Sequence, residues 1–210
     1  MLSIGGMSVI LALETTSAVC SVALAAGENV VIETTQAPRR HNRLVLPMVD
    51  SVCESLGIAR RTIDCVAFSA GPGSFTGVRL GAAIAQGIAA GTGARIYRAP
   101  TSLCMAERVF RSERKPGEII VQRVSRRDLV YEARIYIDAS GGSVLADDIL
   151  KSTSGAANQE VPVYTEKDVS LCASAVLALA KRDRQNWLEP SQALPLYVEG
   201  DSPWQPAKQP

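Results

Sequence analysis

Residues 71–81 read Gly-Pro-Gly-Ser-Phe-Thr-Gly-Val-Arg-Leu-Gly, and their types and spacing bear directly on chemistry. The run follows apolar Val66-Ala67-Phe68, which reads as a buried strand, and precedes an alanine-rich stretch that reads as a helix. Gly71 and Gly73 permit backbone angles that other residues resist. Ser74 or Thr76 can cap the helix with a side-chain oxygen, and a helix N-terminus offers N–H groups to an anion. The run thus reads either as an anion cradle (Gly71, Pro72, Gly73, Ser74, Thr76, Gly77) or as a tight turn that needs small residues. Structural glycine turns are the commoner case at such junctions. It is not a Walker loop, which ends in Gly-Lys-Ser/Thr. Here Val78 and Arg79 follow Gly77. The glycine spacing also excludes the dinucleotide fingerprint.

Other reactive residues are sparse. Glu14 ends the first apolar run, just before Thr15-Thr16-Ser17. A carboxylate there can hold a magnesium-bound phosphate in phosphotransfer folds, or it can cap its own turn. The sole histidine, His41, leaves no two-histidine zinc set, so no metal ligands are expected. Ser74 and Thr76 have no evident base, and serine catalysis needs one. The cysteines are Cys20, Cys53, Cys65, Cys104 and Cys172. Their odd number, apolar surroundings and lack of Cys-x-x-Cys read as buried thiols of a reducing compartment.

The elements that must position these residues follow from periodicity. Runs at 9–13, 19–25 and 30–34 with tight turns predict an antiparallel meander. Apolar positions 44, 45, 48, 49, 52 and 56 predict a helix over 44–56, ended by Gly57. A strand at 65–69, a helix at 76–90, a short strand at 95–98 and a helix at 102–110 complete β-β-β-α-β-α-β-α over 7–112. That is a mixed sheet with helices on its faces. Pro116-Gly117 marks a boundary. Beyond it come strands at 118–124, 129–138 and 143–150, a loop at 152–159 and an amphipathic helix at 169–182. Residues 118–198 read as a shortened second lobe, with 1–6 and 202–210 as flexible ends.

Composition narrows the function. Hydrophobic residues make up 47% but aromatics only 5%, so small aliphatic side chains build the core. A net charge of +1 offers no global field for nucleic acid. The basic groups Arg39/Arg40/Arg43, Arg108/Arg111/Arg114/Lys115 and Arg123/Arg126/Arg127 lack interleaved aromatics and read mostly as solvated faces. No stretch approaches the roughly 20 apolar residues of a membrane span, and the first residues do not read as a signal peptide.

In the helix at 76–90, Gly77, Gly81, Ala85 and Ala89 recur every fourth residue and share a face. Such a face packs on its own sheet or admits another backbone closely. The helix at 44–56 is apolar beyond one stripe, which suggests a second buried contact. The expected partner surface is Leu44, Val45, Met48, Val52, Val78, Gly81, Ala82, Ala85, Gln86 and Ala89.

Residues 9–24 (VILALETTSAVCSVAL), 38–49 (PRRHNRLVLPMV), 71–81 and Ala85-Gln86-Gly87 resemble the bacterial TsaB family, also called YeaZ, strongly over 7–112 and weakly beyond. The resemblance implies an α/β fold of the actin, Hsp70 and sugar-kinase type, with two ribonuclease-H-like lobes. It implies a non-catalytic subunit of the system that makes threonylcarbamoyladenosine at position 37 of tRNA. The implied partners are a TsaD homologue, a TsaE-type ATPase and a second copy of the chain, paired through the first two helices. It implies only indirect contact with tRNA, a cytoplasmic setting, no cofactor of its own, and ATP or ADP within the assembled complex at most. The chain departs from the family pattern at Glu14, where aspartate is usual, at Val124-Ser125-Arg126, where Asp-Ala-Arg is frequent, and at Glu199, where arginine is usual. These departures count against nucleotide between the lobes. A small kinase or ATPase of the same fold is the alternative, with Glu14 facing phosphate and Gly141-Gly142 as its adenosine turn. A metallopeptidase is the remote one.

Overall fold

The computed structural model describes residues 8–126, 128–153 and 160–198. The expected flexible ends, Glu199 and most of the loop at 152–159 lie outside the described residues. Strands β1 (Val9–Glu14), β2 (Val19–Ala26) and β3 (Asn29–Gln36) form the antiparallel meander. Helix α1 (His41–Leu56) leads to β4 (Cys65–Gly71), which runs parallel to β1. Helix α2 (Phe75–Thr92) leads to β5 (Arg95–Pro100), parallel to β4, and α3 (Thr101–Glu113) follows. The sheet order is β3-β2-β1-β4-β5. A second sheet, ordered β8-β7-β6-β9, is built from β6 (Gly117–Arg126), β7 (Leu129–Asp138), β8 (Gly141–Ser152) and β9 (Val163–Thr165). Helix α4 (Ala173–Arg182) comes last. This is the actin-like α/β fold that the resemblance implies.

The layers follow from the side-chain period of two. One face of the first sheet (Leu11, Leu13, Val22, Leu24, Val66, Phe68) packs under α1 and α2. The other face (Ile10, Ala12, Ala23, Ala25, Cys65, Ala67) meets α3 and α4. Helix α3 is covered in turn by the second sheet, whose Ile119, Val121, Ala133, Ile135 and Ile137 join the same core. Of residues 118–198, only β6–β9 build the second sheet. Helix α4 lies on β1 and β2, and the terminal segment runs back beside the first sheet. There Leu188 and Ile96 exchange backbone hydrogen bonds, and the Leu196 N–H donates to the Ala70 carbonyl.

Local chemistry sets several boundaries. Gly57 and Gly93 end α1 and α2 in the left-handed conformation, at φ 63° and 76°. Helix α2 therefore runs past Gly91 to Thr92. Helix α4 begins at Ala173 rather than at residue 169. Asp168 instead accepts the Thr165 N–H at 2.7 Å and the Thr165 hydroxyl at 2.8 Å, closing a turn, and Cys172 is extended. Strand β9 is only three residues long, too short for periodicity to reveal. Among the described residues no helix is long and apolar enough to cross a membrane.

Candidate functional site: the cleft between the sheets

The β1–β2 turn and the glycine-rich loop converge at the carboxyl ends of β1 and β4, on a cleft of about 830 Å3. Its lining includes Thr16, Ser17, Arg39, His41, Ser74, Thr76, Gly77, Arg123 and Glu166. Crevices at the carboxyl ends of parallel strands are where open α/β sheets take ligands.

Three close approaches explain the loop's glycines. A Cβ on Gly77 would lie far inside contact distance of the Thr15 carbonyl oxygen, and one on Gly73 would lie 2.5 Å from Arg123 Nη1. Gly71 has φ 119°, and its Cβ would sit 2.6 Å from the Leu196 oxygen. Ser74, rather than Thr76, caps α2: its Oγ accepts the Gly77 N–H at 3.3 Å. The Ser74 N–H donates to the Thr16 carbonyl at 3.0 Å, and the Thr15 hydroxyl donates to the Gly77 carbonyl at 2.8 Å. Much of the loop's hydrogen bonding is therefore spent on its neighbours.

Glu14 is fully buried. Its Oε1 accepts the Thr16 N–H at 2.6 Å and the Thr16 hydroxyl at 2.7 Å, and its Oε2 accepts the Ser69 hydroxyl. Both oxygens serve the turn and the neighbouring strand, so of the two sequence readings the capping one describes it.

Arg123 is the residue that sequence reasoning misplaced. It reads there as a solvated basic group, yet it is only 5% exposed. Its Nη2 donates to the Thr16 carbonyl at 3.0 Å and to Glu166 Oε1 at 2.7 Å, and its Nε donates to the same oxygen at 3.2 Å. Its Nη1 donates to the Thr16 hydroxyl at 3.3 Å and to the Pro72 carbonyl. The signal was present: Ile119, Val121 and Arg123 alternate along β6 on the face that enters the core.

The remaining candidates disperse. His41 Nε2 lies 3.1 Å from the Val19 carbonyl and so donates to it. Gly141 and Gly142 open β8, where they pack on Arg182 and on Leu103 and Ala106. Cys20, Cys53, Cys65 and Cys104 are buried. Burial, aided by Glu14 and Glu33, pushes the Cys20 thiol up to about 11. Burial likewise pushes Cys65 up to about 12. Among the described residues no three His, Cys, Asp or Glu side chains are grouped to hold a metal ion.

The ten residues expected to meet a partner require a correction. Val45, Met48, Val52, Val78, Gly81, Ala82, Ala85 and Ala89 are buried within the chain itself. Leu44 is half-buried, and Gln86 donates its amide N–H to the Ala193 carbonyl at 3.2 Å. The small-residue stripe of α2 faces inward because the first sheet leaves it no room. A Cβ on Gly81 would lie 2.9 Å from Thr15 Oγ1 and 3.5 Å from the Phe68 ring.

Residues 29–169, two thirds of the chain, match the family of TsaD, tRNA N6-adenosine threonylcarbamoyltransferase, and the chain belongs to that class of actin-like proteins. Within it, the chain is a member of the TsaB/YeaZ family. It is 40% identical over 119 residues to the tRNA threonylcarbamoyladenosine biosynthesis protein TsaB of Haemophilus influenzae, covering 56% of this chain and 49% of that one. It is 35% identical over 132 residues to TsaB of Escherichia coli, covering 63% and 57%. The chain thus spans about half the length of the curated relatives it matches. YeaZ from Pseudomonas aeruginosa superposes with a TM-score of 0.81 at 26% identity, over 91% of this chain and all of that one. A further Pseudomonas aeruginosa structure, described as similar to peptidase YeaZ, gives 0.83 at 25% identity with the same coverage.

Proposed function

We propose that this chain serves threonylcarbamoyladenosine biosynthesis in the cytoplasm as a non-catalytic subunit that pairs with a TsaD homologue. A TsaE-type ATPase joins the assembly, tRNA is held by the assembly rather than by this chain, and any ATP or ADP belongs to the assembled complex. The observation that carries the pairing is a groove of about 520 Å3 across the outward faces of α1 and α2. It is lined by Leu46, Ala83, Ile84, Gly87, Ile88 and Gly91, with Arg60 and Arg61 at its edge.

Ala83, Gly87 and Gly91 form a second small-residue stripe on α2, and all three are exposed. A Cβ at Gly87 or Gly91 would meet nothing within 4 Å. A mid-helix glycine costs about 1 kcal/mol relative to alanine, and no contact among the described residues repays that. A partner backbone lying in the groove does. Leu46, 42% exposed, supplies apolar area beside it.

Light scattering of the chain alone and mixed with its TsaD homologue tests the reading. A one-to-one complex is expected. Gly87→Arg, which points into open space, should abolish it without lowering the melting temperature of the isolated chain. Failure of the wild-type chain to associate overturns the proposal.

A further inference from the structure

We propose that the glycine-rich loop of this chain is a socket for its own Arg123. The guanidinium, rather than a ligand phosphate, fills the loop end of the cleft and latches the two sheets together.

The orientation of the polar groups carries the inference. An anion cradle turns N–H groups toward its ligand. Here the groups that face Arg123 are acceptors: the Thr16 and Pro72 carbonyls, the Thr16 hydroxyl and the Glu166 carboxylate. A phosphate in their midst would meet three oxygens and a negative charge. Two of the loop's own N–H groups are already engaged, Ser74 with Thr16 and Gly77 with Ser74. Glu14, the nearby carboxylate, is turned onto Thr16 and Ser69.

The fit is specific to arginine. Its planar fork presents five N–H donors in fixed geometry, and Nε, Nη1 and Nη2 all donate here. Lysine would bring one point charge and could not span Thr16, Pro72 and Glu166 together. Gly73 is the floor of the socket, since a Cβ there would strike Nη1. Arg123 stands on β6 of the second sheet, and its carbonyl partners stand in the two loops of the first. One side chain therefore ties the sheets across the cleft. This inference is independent of the pairing proposed above, and either can fail alone.

Hydrogen exchange on the full chain tests it. Arg123→Ala strands buried acceptors, so amides at 15–18 and 73–78 should exchange roughly tenfold faster, while α1 and the core of α3 stay protected. Arg123→Lys should recover only part of the protection. Gly73→Ala should reproduce the pattern by evicting the guanidinium. It should also cost less in the Arg123→Ala background than in the wild type, because the two changes remove the same contact. Undisturbed loop exchange in a folded Arg123→Ala chain, or full additivity of the two changes, overturns the socket. If Arg123→Ala does not fold, the wild type decides. Inorganic phosphate and ATP should leave its melting temperature and loop exchange unchanged, and saturable protection of the loop by either overturns the proposal.

Discussion

The two sheets meet the same helical layer yet live in different environments. Every residue of β4 is buried, and β1 and β2 are buried at nearly every position, because helices cover both faces of the first sheet. In the second sheet β7 alternates from Ala133 to Ile137, and β8 is mostly exposed, with Leu145 and Ile149 over half open to solvent. Polar groups follow suit. In the first sheet Glu14, Ser21 and Ser69 are satisfied by hydroxyls and backbone. On the second, Glu132 has a lysine to neutralise it, Lys151 at 2.8 Å. A sheet buried on both faces has no tolerance for volume or unpaired charge, and one that is half solvated has both.

The largest effect should come from setting one sheet against the other. Phe68→Ala, at a fully buried site of β4, should cost about 3–5 kcal/mol. Ile149→Ala on β8, 56% exposed, should stay within about 0.5 kcal/mol. Urea unfolding of the two variants measures the difference, and similar costs would erase the contrast.

The same contrast can be sharpened inside α2. Gly77→Ala drives a methyl into the Thr15 carbonyl and should destabilise by about 1–3 kcal/mol or more. Gly87→Ala, on the open face of the same helix, should stabilise the isolated chain by about 0.5–1 kcal/mol. Thermal melts should shift in opposite directions.

A smaller effect tests where the second sheet gains interior character. Burial, only partly offset by the Ser102 hydroxyl and Arg123, pushes Asp148 up to about 6 from 3.8. The folded state therefore holds this proton more tightly than the unfolded one. The associated stability is present below 3.8 and lost as pH rises through about 6. Asp148→Asn should flatten that slope in melts across the same interval. An unchanged slope would place the carboxylate in water.

The first half of the fold was readable because its signals are local. Apolar runs, tight turns and Gly57 are written within a dozen residues of the elements they define, and the helix over 44–56 emerged as His41–Leu56. The cleft was not, because its defining contact joins Arg123 to Thr16 and Pro72, 107 and 51 residues away. Spacing identified the glycines but not the sign of the charge they receive. Similarly, a four-residue repeat of small side chains places Gly81 and Ala85 on one face without saying whether that face looks in or out. Only the position of Phe68 and Thr15 decides it.

Helix α4 fixes the order in which the chain can become a protein. Its first residue, Ala173, donates its N–H to Ser21 Oγ at 3.2 Å, 152 residues back, and the helix seals β1 and β2. Until α4 leaves the ribosome, the inner face of the earliest strands is bare apolar surface. Contacts this distant in sequence are slow to close, and strands left waiting are prone to aggregate. Closing the first sheet therefore waits for α4, and a chain truncated before residue 173 would leave one face of β1 and β2 bare.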